Sequence, residues 1–154
     1  MTRFAAHNRS SASLRSSRED VWRALTDPVL LPRLTPYLHT IEVDGDRWHW
    51  NMARIPLLGR SIGTSFTEVM TFDEPHRIEF AHDDADTGEK TWVQGQYLLE
   101  EEGTGTHVSI DLGVTCDLPF NRIARPAVEG AMAAVMAGMG RRFAHNLLRH
   151  LGER

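Results

Sequence analysis

The sequence predicts an α+β domain: a seven-stranded antiparallel sheet, two short helices after its first strand, and one long helix at the C-terminal end. Three observations predict it. Segments within residues 39–116 alternate apolar and polar side chains with period two, the mark of strands wetted on one face. Residues 118–151 read instead as a single long helix. With 154 residues, 41% apolar and 25% charged, the chain can build one sizeable core but not two, so residues 1–154 are read as a single domain.

The elements follow in order. Residues 10–15 alternate weakly, with Ala12 and Leu14 on one side. Ser16 and Glu19 then form an S-x-x-E capping box opening a helix that buries Val21, Trp22 and Leu25. Asp27-Pro28 repeats the cap-then-proline signal, and PVLLPRL is a second short helix ending near Thr35-Pro36. In HTIEVDGDRWHWNM, a two-residue type II′ turn at Gly45-Asp46 pairs Val43 with Trp48 and Ile41 with Trp50, so both apolar faces coincide. RIPLLGRSIG is read as a loop. TSFTEVMTF and RIEFAHD make the next hairpin, in which Phe72 faces Ile78, Met70 faces Phe80 and Glu68 faces His82. In KTWVQGQYLLE the face Val93/Gly95/Tyr97/Leu99 is taken as inner, over Trp92/Gln94/Gln96/Leu98. THVSIDLGVTC turns Val108, Ile110, Leu112 and Val114 inward. Pro126 is expected to kink or interrupt the long helix from Leu118 to Leu151, because an interior proline removes a hydrogen bond.

Composition excludes several classes of function. The net charge is −4 and the largest basic cluster is the pair Arg141-Arg142, so the electrostatic footprint of a nucleic-acid binder is missing. The single cysteine, Cys116, fits a reducing compartment, and MTRFAAHNRSSAS lacks the apolar core of a secretory signal; the protein is expected to be cytoplasmic. The longest charge-free run of the helix, residues 130–140, is eleven residues, against about 20 for a membrane span. The eight histidines show no H-E-x-x-H or comparable spacing, so no metal site is expected.

The long helix itself is unusual. AVEGAMAAVMAGMGRRF, residues 127–143, places Ala, Gly and Met where a core helix normally carries Leu and Ile. Gly130, Gly138 and Gly140 together sacrifice roughly 3 kcal/mol of helix propensity relative to alanine. One explanation is close approach: Gly130, Ala134 and Gly138, spaced by four, would bring the helix against a neighbour. The other is volume, with Met132, Met136 and Met139 lining a space to which methionine adapts well.

REDVWRALTDP, FTEVMTFDEPHRIEF, GTGTHVSIDLGV and the single C-terminal helix together resemble the START-like, or SRPBCC, superfamily, which includes the polyketide cyclase/dehydrase and lipid-transport family. The resemblance covers nearly the whole chain and implies a helix-grip fold, in which a curved seven-stranded sheet wraps the last helix and leaves a cavity for a hydrophobic ligand. It favours volume over close approach. It also implies a ligand-binding wall made by Trp48, Trp50 and Met52 with Phe66, Met70 and Phe80. Tyr37 and Tyr97 supply hydroxyls, and Met132, Val135, Met136 and Met139 close the space from the helix.

The expected function is binding of a hydrophobic small molecule, lipid or polyketide-like. The alternative is a cyclase or dehydratase acting on a ligand enclosed in the same cavity, without metal or organic cofactor. Its catalytic residues would be Glu68 and His82: parity puts Glu68 inward, and a buried carboxylate must be paired, hydrogen-bonded or neutral. A structural Glu-His pair at a strand end explains the same parity. A third reading is an interaction module, and the apolar tip Ile55 to Leu58 could serve as a lid, pack locally or join a homodimer. Gly59-Arg60-Ser61-Ile62-Gly63 matches G-x-S-x-G, but that motif needs a helix after it, and the residues here alternate as a strand. DDADTGE has its glycine misplaced for a calcium loop and reads as a hairpin loop.

Overall fold

The computed structural model describes residues 1–83 and 88–153. The hairpin loop expected at 83–89, with its faint likeness to a calcium loop, therefore lies largely outside the described residues. The elements are β1 (Thr2–Leu14), α1 (Arg18–Leu25), α2 (Leu31–Leu34), β2 (Leu38–Asp44), β3 (Arg47–Met52), β4 (Ile55–Leu57), β5 (Arg60–Ile62), β6 (Ser65–Asp73), β7 (Arg77–His82), β8 (Thr91–Glu102), β9 (Gly105–Leu118) and α3 (Arg125–His150). Seven strands form one sheet in the order β1-β9-β8-β7-β6-β3-β2, every neighbouring pair antiparallel. This is the helix-grip α+β architecture.

The hairpin registers follow the alternation of the sequence. Val43 faces Trp48 and Ile41 faces Trp50. Gly45 turns that hairpin at φ 62°, the left-handed region that costs glycine least. Phe72 faces Ile78, Met70 faces Phe80, and Glu68 faces His82.

Four expectations need correction. The first strand begins at Thr2 rather than near Ser10: as an edge strand it pairs only with β9, so its polar stretch satisfies the ladder without a strong apolar stripe. Helix α1 is capped by Ser17, whose hydroxyl accepts from Asp20 N–H at 3.2 Å, and Ser16 is freed for another contact. The supposed loop 54–63 is a small hairpin, β4–β5, turning through Leu58 (φ 47°) and Gly59 (φ 76°). Finally, Pro126 kinks nothing. Strand β9 continues to Leu118, a single 3-10 turn at Arg122–Ala124 is capped by Asn121, and Pro126 sits in the first turn of α3, where a missing N–H is harmless.

The core is in two parts. The larger gathers Leu14, Val21, Trp22 and Leu25 with Leu31, Leu34, Trp48, Met70, Ile78, Leu99 and Leu147. The smaller gathers Phe4, Leu57, Leu118, Val128 and Met132 around the start of α3. Each side chain so buried contributes about 1.5–3 kcal/mol. Leu57 thus packs the β4–β5 tip onto α3, while Leu58 beside it is exposed. Among the described residues no helix is long and apolar enough to cross a membrane.

The helix glycines do not serve close approach. A Cβ added at Gly130 would meet nothing within 4 Å, one at Gly138 only the side chain of Arg141 at 3.7 Å, and one at Gly140 only Asn8 at 3.8 Å. Gly95 is the opposite case, since a Cβ there would lie 1.9 Å from the Asp111 carbonyl oxygen. Gly130→Ala should therefore stabilise the protein by about 0.5–1 kcal/mol, read as a raised thermal midpoint. Gly95→Ala should lower the midpoint in the same assay.

Candidate functional site

Strand register decides what faces α3. The inner face carries Trp48, Trp50 and Met52 on β3, Phe66, Glu68 and Met70 on β6, Ile78 and Phe80 on β7, and Val93, Tyr97 and Leu99 on β8. The inward choice for β8 rests on Val93 and Leu99, both buried in the main core, and on Tyr97, whose ring lies 6.1 Å from that of Phe80. Trp92 lies on the other side beneath the Arg3 guanidinium, 4.2 Å from the ring centre. Trp50 stacks on Phe66 at 6.0 Å with an interplanar angle of 12°, and lies 6.3 Å from Trp48.

Burial along this face is uneven. Trp48, Phe66, Met70, Phe80 and Met132 are buried. Trp50, Met52 and Tyr97 are only half-buried, as are Val108, Ile110, Leu112 and Val114 of β9 and Val135, Met136 and Met139 of α3. Tyr37, also half-buried, sits at the end of the sheet where residues 35–37 and 53–64 meet, its carbonyl accepting the Ala53 N–H at 2.6 Å.

Within this apolar setting the polar groups lack partners. Glu68 is 2% exposed, and no hydrogen bond or ion pair among the described residues reaches its carboxyl. Burial pushes that carboxyl well above the usual carboxylate range. Burial also raises the Tyr97 phenol, and the charge of Glu68 raises it further. His82 stands opposite Glu68 in register, yet no hydrogen bond joins them; its ring lies edge-on to Trp92 at 5.8 Å, and its Nδ1 is buried without a partner. The indole N–H of Trp50 is likewise buried and unpartnered. Sequence reading had valued Trp50 only as an apolar wall; its N–H gives no signal in a one-dimensional pattern.

The outer face is different. There Glu89 accepts from Thr67 N–H (2.7 Å) and Thr67 Oγ1 (2.8 Å), and Thr67 Oγ1 also bonds His49 Nδ1 at 2.8 Å. Sequence reading missed this cluster because its members are joined only by the fold. An open groove of about 380 Å³ crosses the same side, lined by His7, Thr71, Glu79, Gln94, Gln96 and Asp111 among others. Its lining mixes polar and apolar side chains, Val69 and Ala81 among them, and it is open to solvent. Ser61 of the G-x-S-x-G match lies in the β4–β5 hairpin, its hydroxyl accepting from Arg54 Nε at 2.9 Å, with no helix after it to form a nucleophile elbow. No group of three His, Cys, Asp or Glu able to hold a metal occurs among the described residues.

Because burial raises the Glu68 pKa above its ordinary 4.5, the group favours the folded state fully below that pH and progressively less as pH rises through its folded value. The gain in thermal midpoint of Glu68→Gln over the parent should accordingly grow as pH rises above 4.5. A constant difference across that range, measured by thermal melts, would refute the desolvated carboxyl.

The sequence profile described as "Polyketide cyclase / dehydrase and lipid transport" matches residues 6–152. No curated protein matches the chain. Among solved structures, a protein of Thermus thermophilus is similar with TM-score 0.69 at 19% identity, covering 94% of this chain and 98% of that one. A START superfamily protein of Mycobacterium smegmatis has TM-score 0.68 at 13% identity, covering 93% and 97%. The Zhui aromatase/cyclase of Streptomyces sp. R1128 has TM-score 0.67 at 10% identity, covering 96% and 94%. At such identities these likenesses speak for the fold alone, but the profile match spans almost the entire chain: it belongs to the polyketide cyclase/dehydrase and lipid transport family.

Proposed function

We propose that the protein encloses a hydrophobic small molecule, lipid or polyketide-like, between the inner sheet face and the middle of α3. One observation carries the reading. Apolar side chains on the inner sheet face, Tyr97, Leu112 and Val114, and on the helix, Val135, Met136 and Met139, remain partly accessible, although all but Met136 and Met139 also pack against one of the two core clusters. Space lined by aromatic, aliphatic and methionine side chains suits an apolar guest, and methionine adapts to its shape. The rim around Tyr37, Met52 and the β4–β5 hairpin is the natural entry.

A second reading, cyclisation or dehydration of the enclosed molecule, is favoured by one feature: Glu68, desolvated and unbonded, faces His82 across the strand pair with the His82 Nδ1 also unbonded. An acid and a base so placed could exchange a proton with a guest. Under it, Glu68→Gln and His82→Ala would abolish turnover of a linear poly-β-keto thioester while leaving its binding intact.

Binding of the neutral fluorophore N-phenyl-1-naphthylamine tests the enclosure. Met136→Trp and Val135→Trp fill the middle of the interior and should each lower its affinity by about tenfold or more, the cost of overpacking a guest-sized space. Circular dichroism should stay unchanged. A parent protein that fails to enhance the fluorescence, or variants that bind it equally well, would refute the proposal.

A further inference from the structure

Two of the unpartnered polar groups, Trp50 and Glu68, stand on adjacent strands of the inner face. Trp50 offers an indole N–H, a donor only, buried and without a partner. Glu68, on the adjacent strand β6, offers a carboxyl that is 2% exposed and unbonded. Both belong to one aromatic surface, since Trp50 stacks on Phe66 and stands beside Trp48, and Trp48 faces Glu68 directly across the strand pair. The Tyr97 phenol is near enough to feel the charge of Glu68.

Leaving such groups buried and unsatisfied costs free energy that nothing in the described residues returns. A bound molecule could return it with a group that accepts from Trp50 and also hydrogen-bonds Glu68, whose carboxyl accepts when ionised and both donates and accepts when protonated. A hydroxyl does both. A hydrocarbon does neither. A carboxylate could accept from Trp50 but would enter a space whose inward sheet positions carry no Lys or Arg, with His82 as the one ionisable base in register with them, and already hold the acid Glu68. An ion buried there without a counter-charge is strongly disfavoured.

We infer that the guest is an uncharged, hydroxyl-bearing lipophile, an alcohol or phenol, and that Trp50 and Glu68 are the residues that select it over hydrocarbons and over carboxylic acids. This rests on the enclosure proposed above and adds the polarity of the guest to it. The hydroxyl oxygen sits against the Trp50 N–H and its hydrogen against the Glu68 carboxyl, while the carbon skeleton lies along Phe66, Met70 and α3.

The test uses three matched probes at neutral pH: 2-(2-naphthyl)ethanol, 2-ethylnaphthalene and 2-naphthylacetic acid, with affinity read by isothermal calorimetry. The alcohol should bind the parent protein about tenfold or more tighter than the hydrocarbon, the worth of one to two hydrogen bonds, and the acid should bind more weakly than both. Glu68→Leu and Trp50→Phe should each bring the ratio of alcohol to hydrocarbon affinity down to about one, with circular dichroism like that of the parent showing that the variants are folded. An acid that binds as well as the alcohol, or a preference untouched by either substitution, overturns the inference while the enclosure stands. Failure of all three probes to bind overturns both.

Discussion

The interior depends on how α3 is held: firmly at each end and loosely between. A 26-residue helix is about 39 Å of nearly straight rod. At its start Val128 and Met132 pack on Phe4, Leu57 and Leu118, Glu129 accepts the Ala5 N–H at 2.8 Å, and Arg125 donates to the Arg3 carbonyl at 2.9 Å. At its far end Leu147 enters the main core and Asn146 donates to the Leu34 carbonyl at 2.9 Å. Just beyond, Glu153 accepts the N–H groups of Arg15 (2.6 Å) and Ser16 (2.9 Å) as well as the Ser16 hydroxyl. A stiff rod fixed at two ends over a curved sheet need not touch the sheet in the middle. Residues 133–139, mostly alanine, glycine and methionine, are half-buried or exposed, with Val135 alone of them packed against the smaller core cluster.

That arrangement also explains which parts of the molecule could be read from its sequence. Strand faces were legible wherever one side packs and the other is wet, because a one-residue slip would turn Met70, Phe80 and Trp48 to solvent. The inward position of Glu68 was legible for the same reason, since it shares the parity of Phe66 and Met70. The first strand was obscure because Phe4 and Leu14 alone are buried in it, and the residues between them serve the edge ladder. The start of α3 was misplaced because Pro126 has the same identity in the first turn of a helix as in its middle, and only the preceding chain path tells the two apart. The β4–β5 hairpin turns on Leu58 at positive φ, a conformation no sequence rule assigns to leucine.

The contacts that fix α3 were invisible for a further reason: their members are remote in sequence. Ser16 was read as a helix cap, and in the fold it binds Glu153, 137 positions away. Once Ser17 takes over the cap, Ser16 can join the chain's two ends. The register of one hydroxyl thus connects the start of α1 to the anchorage of α3, and through it to the width of the interior.

Glu153 and Glu68 are both buried carboxyls, and their contrast separates structure from function. Burial alone works against the charge of Glu153, but the hydrogen bonds from Ser16 and Arg15 outweigh it and hold its pKa below the ordinary range. Glu68 has the burial without the bonds, and its pKa is driven up instead. The outer-face Glu89, doubly bonded to Thr67, resembles Glu153 in its saturation. The fold therefore satisfies Glu153 and Glu89 where they fasten chain to chain, and leaves Glu68 on the inner sheet face without such bonds. In the proposed reading an acid kept in that condition, between Trp48 and His82 on neighbouring strands, is completed by something outside the chain. That something must be small enough for the span between the two anchors and apolar enough for its walls.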